Sequence, residues 1–382
     1  MKNKKLKIFF DANPLTINKT GVGYYTYGMV SSLSEVGGKD IELVGHYFNF
    51  LGRKKSLHLP KADNIRYVQT KVFPGKLLSV CRRFGFQLPL EWITKERGDM
   101  FLFTNFVSLP SIFKTKKIAV IHDVGFIDHP EFVAVKNLNF LNRWVPRTVK
   151  SSDLIVTISK FSAERLKQTY GLDDNRLFIT PIPPLKDQSS NTPSSLNRFK
   201  IPTNKYVLFI GTLEPRKNLV TLLEAYERLD NTFKNRFSLV LAGGTGWKDE
   251  VIKQKIEDMQ ASGNNVVTTG YVSDKEKSAL YKGASFCVQP SIYEGFGMPI
   301  LEAMSYGKAV VCSDIEVFRE VAGNAARYFS PINVTDLKNT LESLINNPGL
   351  VQDMGVNGKK RVEQYPNWEV VSSNLLERLR GL

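Results

Sequence analysis

The stretch PSIYEGFGMPILEAMSYGKAVVCSD, from Pro290 to Asp314, concentrates residue types that can bind a polar small molecule. Glu294 and Glu302, seven residues between them, flank a turn that carries Gly295 and Gly297, and Pro299 suits the first turn of a helix that Gly307 closes. Unpaired amides at such a helix start attract anions and polar oxygens. Carboxylates beside them accept hydrogens from hydroxyls, which a sugar or a ribose presents in vicinal pairs. A nucleotide sugar brings both a phosphate and those hydroxyls. The competing reading is two acids compensating the positive end of the helix dipole, and residue types alone leave both open.

A second cluster lies in FIGTLEPRKN, where a strand over Tyr206 to Gly211 runs into a loop and a helix begins near Asn218. Arg216 and Lys217 stand at the mouth of that helix and oppose its dipole at a cost of roughly 0.3 to 1 kcal/mol each, tolerable when an anion sits between them. A diphosphate would supply the anion, met by the fork of the arginine and the point charge of the lysine; solvated surface charge is the alternative. In KIAVIHDVGFIDHPEF, His122 and Asp123 end an apolar strand, a place that favours function, although a lone histidine is more often structural, as His129 is expected to be. Gly21 and Gly23 belong to GVGYYT, about ten residues beyond LKIFF. That gap spoils the tight turn of a dinucleotide fingerprint despite Glu42 near its acidic position, so nicotinamide binding is not expected. The sequence has no Asp-x-Asp triplet and no His or Cys cluster, so catalysis is expected to need no metal.

These residues must be held by elements, and the apolar patterning supplies them. LKIFF, IELVGHY, MFLF, KIAVIHD and LIVTIS alternate with helical stretches over Tyr24 to Ser34, Lys136 to Ser151 and Phe161 to Tyr170. The rhythm breaks from Pro181 to Pro202, rich in Pro, Ser and Asn, and resumes with YVLFIG, FSLVLAGG, VVTTGYV, SFCVQP and AVVCS and with helices over Leu219 to Leu229 and Pro299 to Tyr306. Strands alternating with helices predict parallel sheets, and ligands then bind beyond the carboxyl ends of the strands. The expected fold is α/β, two Rossmann-like doubly wound domains facing across a cleft. The expected boundaries are a first domain over 1–180, a linker over 181–202, a second domain over 203–362, and a final helix within 363–382.

The run E-G-F-G-M-P-x-x-E-A-M after a strand resembles the signature of retaining GT-B glycosyltransferases, most closely glycosyltransferase family four. The resemblance extends over most of the chain, through GVGYYTYGM, IHDVGF, TISKFS, FIGTLEPRKN, LAGG and GYVSD. It implies that Glu294 contacts donor-sugar hydroxyls, that Glu302 holds the ribose, and that the backbone of Gly295, Phe296, Gly297 and Met298 meets sugar and phosphate. It implies further that Arg216 and Lys217 bind the diphosphate, and that Gly211, Thr212, Tyr271 and Val272 line the donor site. His122 is implied to reach the donor sugar near the reacting carbon, with Asp123 a second candidate, and the Gly21 and Gly23 loop to face the donor phosphates and the acceptor. Two positions depart from the pattern: Thr212 stands where many members place the diphosphate arginine, and Tyr24 where many carry another arginine. The implied activity is transfer of a hexose, first mannose from GDP-mannose, with retention of configuration, to a glycan or lipid-linked acceptor in cell-surface polysaccharide synthesis. The domain over 1–180 is implied to bind the acceptor, that over 203–362 the nucleotide sugar, and the helix within 363–382 to pack back on the first domain; no cofactor beyond the donor substrate is implied. An epimerase of related architecture, or a glycan-binding scaffold on a disabled transferase fold, are the other readings.

Composition agrees with such a chain. A length of 382 residues exceeds what one core usually organises, and 42% hydrophobic with 23% charged residues is an ordinary globular balance. Cys81, Cys287 and Cys312 are odd in number and far apart, which argues against disulfides and fits a cytoplasmic protein. No run approaches the roughly 20 apolar residues of a membrane-spanning helix. The net charge of +15 is uneven: from Arg53 to Arg97 eleven Lys or Arg face three Asp or Glu, a local excess of +8. Within that region KLLSVCRRFGF, from Lys76 to Phe86, has the spacing of a short basic amphipathic helix. It either lies on an anionic membrane surface, making the protein peripheral, or packs inward. No nucleic-acid motif accompanies the charge, so nucleic acid is not an expected partner.

Overall fold

The computed structural model describes residues 5–16, 20–52, 58–71, 80, 85–184, 193–202 and 205–382. The chain forms two compact units. The first comprises Met1–Ile127, Val135–Pro183 and Pro366–Leu382, and the second Asp128–Ala134 and Pro184–Tyr365.

In the first unit seven parallel strands run in the order β3-β2-β1-β4-β5-β6-β7. They are β1 Leu6–Asp11, β2 Ile41–Phe48, β3 Ile65–Thr70, β4 Met100–Phe103, β5 Lys116–Val120, β6 Leu154–Thr157 and β7 Leu177–Ile179. Every residue of β4 and β6 is buried, which is why MFLF and LIVT read as unbroken apolar runs: a parallel sheet is covered on both faces. Around it lie α1 Gly21–Gly37, α2 Leu90–Thr94, α3 Val135–Ser151 and α4 Lys160–Tyr170. Ser159 caps α4 by accepting from Ser162 N, and Gly171 ends it in the left-handed conformation.

The second unit repeats the plan with six parallel strands in the order β10-β9-β8-β11-β12-β13. These are β8 Lys205–Ile210, β9 Phe237–Ala242, β10 Val266–Gly270, β11 Phe286–Gln289, β12 Val310–Ser313 and β13 Arg327–Phe329. Its helices are α5 Leu219–Glu227, α6 Glu250–Ala261, α7 Asp274–Gly283, α8 Met298–Ser305, α9 Glu316–Ala322, α10 Val334–Ile345 and α11 Pro348–Glu363. One core joins strands and helices, with Phe209, Leu222, Leu241, Met259, Phe286 and Leu341 at or below 1% exposure. The last helix, α12 Trp368–Arg380, is part of the first unit and packs on α1. Gly28 of α1 makes room for it, since a Cβ there would fall 2.3 Å from the Trp368 indole.

Both sheets reverse strand order once, between β1 and β4 in the first unit and between β8 and β11 in the second. Loops leaving the carboxyl ends on either side of such a reversal diverge and leave a crevice, the usual ligand site of an open α/β sheet. Three features differ from the expected organisation. Helix α1 begins at Gly21, so Gly21 and Gly23 form its first turn and not a loop ahead of it. The segment Asp128–Ala134 joins the second unit, where the His129 ring lies 5.3 Å from that of Tyr293 and Lys248 Nζ approaches Glu131 O at 3.5 Å. The end of the expected linker is packed: Pro193–Phe199 is a 3-10 helix whose Arg198 pairs with Glu276 at 2.5 Å and whose Phe199 is buried.

Candidate active site

At the β8/β11 reversal the two clusters singled out from the sequence meet. The strand β8 ends at Ile210, and Pro215–Lys217 makes a single 3-10 turn before Asn218, in the left-handed conformation, starts α5. The loop after β11 is tied to this turn by Ile292 N donating to Arg216 O at 2.9 Å. That tether brings Glu294 under both cations. Arg216 Nη1 donates to Glu294 Oε2 at 2.5 Å and to Tyr293 O at 2.9 Å, and Lys217 Nζ donates to Glu294 Oε1. Ser291 Oγ donates to the same Oε1 at 2.9 Å, while the other edge of the Arg216 guanidinium holds Glu214 at 2.8 Å. The anion expected between Arg216 and Lys217 is therefore supplied by the chain itself.

Glu294 is 7% exposed. Burial alone would raise the pKa of its carboxyl, but the charges and hydrogen bonds of Arg216 and Lys217 outweigh it and hold the group down at about 2. At neutral pH Glu294 is thus a fixed carboxylate, able to accept from hydroxyls and unable to donate a proton. Gly297 caps α8 with φ +105°, a conformation that side chains resist, and a Cβ there would press on Phe318 at 2.8 Å. Gly243 acts likewise at the neighbouring strand end, where a Cβ would sit 1.9 Å from Gly211 O. Phe296 is buried against Tyr365, and Met298 opens α8 half-buried.

Glu302, on α8, has a separate cradle. Lys277 Nζ donates to its Oε1 at 2.8 Å and Tyr281 OH to its Oε2 at 2.9 Å, with all three side chains buried. Tyr281 stacks on Tyr306, whose hydroxyl bonds Ser278 at 2.8 Å. Lys277 and Tyr281 escaped the reading of the sequence. Their signal was a lysine at position i of an apolar stripe continued by Leu280 and Tyr281 at i+3 and i+4 of α7. Tyr271 and Val272 leave β10, two strands from β8, so they are not brought to Glu294 directly. Val272 is buried, Tyr271 is 47% exposed, and Ser273 beyond them closes the capping box that starts the helix carrying Lys277. Thr212 is exposed after Gly211.

In the first unit His122 follows β5 and is 6% exposed. Its Nε2 lies 3.1 Å from Thr104 O, and since a carbonyl only accepts, Nε2 carries the hydrogen. Burial lowers the pKa to about 4 against the opposing Thr104 bond, so the ring is neutral near pH 7 and Nδ1 keeps its lone pair. Tyr25 packs edge-on to the ring at 5.2 Å and Phe106 lies 5.6 Å away; Tyr25 is fixed in turn by its hydroxyl against Thr180 Oγ1 at 2.6 Å. Asp123 caps a turn instead, Oδ1 accepting from Gly125 N at 2.9 Å. Gly23 is buried, a Cβ there meeting Pro14 O at 3.2 Å, while Gly21 is exposed. Among the described residues no group of three or more His, Cys, Asp or Glu side chains gathers as a metal-ligand set.

The chain resembles known glycosyltransferases in sequence and in fold. Residues 194–361 match the family model for glycosyl transferases group 1. The O-antigen chain mannosyltransferase B of Escherichia coli is 27% identical over 377 residues, 95% of this chain and 97% of its own. Among solved structures, sucrose-phosphate synthase from Thermosynechococcus elongatus has a TM-score of 0.75 at 15% identity, covering 99% of each chain. WaaG, a glycosyltransferase involved in lipopolysaccharide biosynthesis, has a TM-score of 0.71 at 14% identity, covering 97% of this chain and 98% of its own. The strand–turn–helix that holds Glu294 and Glu302 lies within the matched residues, and the chain is a glycosyltransferase of the GT-B fold, mannosyltransferase-like in sequence, with a glycosyl transferases group 1 domain over residues 194–361.

Proposed function

We propose that the protein transfers mannose from GDP-mannose, with retention of configuration and without a metal ion, to a glycan or lipid-linked acceptor in the assembly of a cell-surface polysaccharide. The observation that carries this reading is the buried Glu294 carboxylate clamped by Arg216 and Lys217 at the β8/β11 reversal. A diphosphate entering there shares the two cations, which stabilise the charge that develops as it leaves. Glu294, loosened from part of its clamp, accepts hydrogens from the donor sugar. Glu302, steadied by Lys277 and Tyr281, accepts from the ribose. His122 takes a sugar hydroxyl on Nδ1, the nitrogen that Thr104 leaves free. The choice of mannose follows the name of the 27% identical relative.

The reading also places the protein in the cytoplasm, peripheral on the membrane through Lys76 to Phe86. Of that segment only Val80, Gly85 and Phe86 are described, with Val80 and Phe86 exposed, and the rest lies outside the described residues. Among the described residues no helix is long and apolar enough to cross a membrane. The test is transfer measured with GDP-, UDP- and dTDP-sugars, with and without EDTA, with the product's anomeric configuration read by NMR. Mannosyl transfer from GDP-mannose alone, insensitive to EDTA and with retained configuration, supports every part. Inversion, EDTA inhibition or preference for another donor each removes the corresponding part.

A further inference from the structure

The backbone of Gly295, Phe296, Gly297 and Met298, which the family resemblance turns towards donor sugar and phosphate, includes two glycines, so few side chains of its own hold its aim. Its anchor is Phe296, 3% exposed and set between those glycines. The Phe296 ring meets that of Tyr365 edge to face, with centroids 6.2 Å apart and planes at 85°. Tyr365 is itself held. Its hydroxyl donates to Val321 O at 3.1 Å, its backbone N donates to Val362 O at 3.0 Å, and Pro366 after it restricts its backbone.

A second route leads from the same tyrosine to the same loop. Val321 belongs to the last turn of α9, where carbonyls have no partner within the helix. Arg361 of α11 donates Nη2 to Glu320 O at 2.6 Å and Nε to Val321 O at 3.0 Å, a cation at the negative end of α9, and Tyr328 donates to Gly323 O at 2.5 Å just beyond it. The Arg361 guanidinium also lies 5.3 Å from the centre of the Tyr365 ring. Three residues before Val321, Phe318 is 1% exposed and fills the space that a Cβ on Gly297 would need. Phe296 and Gly297 therefore rest on two walls, Tyr365 and Phe318, and Val321 O ties the helix of one wall to the hydroxyl of the other.

We propose that Tyr365, backed by Arg361, is a positioning residue for the donor: it holds the backbone of residues 295–298 in the conformation that meets a nucleotide diphosphate. The proposal rests on the glycosyl-transfer reading and adds what keeps its donor loop in place. Without the Tyr365 ring the nucleotide itself must order the loop, and ordering even one residue weakens binding roughly tenfold.

The test is calorimetric titration of wild type, Tyr365→Ala, Tyr365→Phe and Arg361→Met with GDP, UDP and dTDP, alongside thermal midpoints. Stoichiometry reads the folded fraction and Kd reads the loop. A Kd raised about tenfold in Tyr365→Ala at unchanged stoichiometry, largely rescued in Tyr365→Phe, which keeps the ring and gives up only the hydroxyl, and raised less in Arg361→Met, supports the proposal. A lower midpoint or stoichiometry with Kd unmoved in Tyr365→Ala is what a merely structural tyrosine gives, and it overturns the proposal. Where Tyr365→Ala does not fold, Tyr365→Leu is read by the same criterion. A wild type that binds none of the three nucleotides overturns the donor reading and this proposal together. Nucleotide release from a donor judges transfer separately, so an active enzyme whose Kd ignores Tyr365 sinks the positioning role alone.

Discussion

Replacing Glu294 by Gln keeps the shape of the side chain and removes the charge that Arg216 and Lys217 hold. In the unfolded chain a glutamate titrates near about 4.3, and in the folded protein Glu294 titrates at about 2. A folded pKa below the unfolded one means that the carboxylate adds stability above pH 4.3 and loses it as pH falls towards 2. The separation of about 2.3 units, at about 1.36 kcal/mol each, corresponds to about 3 kcal/mol at neutral pH. About half of that is gone by pH 3. Urea denaturation of wild type and Glu294→Gln at pH 7, 5, 4 and 3 measures it. The gap between the two proteins should hold from pH 7 to 5 and narrow by roughly 1–2 kcal/mol from pH 5 to 3. A gap independent of pH over that range refutes the clamp.

Lys277→Met leaves the Glu302 carboxylate buried without its cation, a change that typically costs about 3–5 kcal/mol, and adding Glu302→Gln should recover part of the loss in a urea double-mutant cycle. The His122 ring should show the nitrogen shifts of a neutral imidazole with hydrogen on Nε2 throughout pH 6 to 8, titrating only near pH 4. Because that pKa lies below the ordinary histidine value of about 6.5, the folded state should lose stability as pH falls from about 6.5 towards 4, with His46 adding in the same sense. Gly28→Ala drives a methyl group into the Trp368 indole and should destabilise the first unit by at least about 1–3 kcal/mol, with a change in tryptophan emission as the ring moves.

Much of the second unit could be read from the chain because local signals there agree with the tertiary structure. In SFCVQPSIYEGFGMPILEAM an apolar strand, two glycines and a proline state the strand, the turn and the helix start in order, and Glu294 and Glu302 follow from their places on it. The partners of those glutamates were less legible. Arg216 and Lys217 read as cations awaiting an external anion because nothing local shows that Ile292 ties their turn to the loop carrying Glu294. In DKEKSALYK only the apolar stripe of Leu280 and Tyr281 marks Lys277, and its burial against Glu302 makes it a partner. The start of α1 was misplaced because glycine weakens helices in isolation, whereas here Gly23 is buried close to Pro14 and a side chain would crowd it. The membership of Asp128–Ala134 in the second unit rests on contacts of His129 and Glu131 more than a hundred residues away, which no change in composition announces.

Glu294, between Arg216 and Lys217, is proposed to serve donor-dependent glycosyl transfer. The most direct measurement of that role is release of nucleotide diphosphate from a panel of nucleotide sugars, with acceptor present, by wild type and by Glu294→Ala of verified fold. Release with one donor class and a fall of at least a hundredfold in the variant are expected; full activity of Glu294→Ala, or no release by the wild type from any donor, would contradict that role.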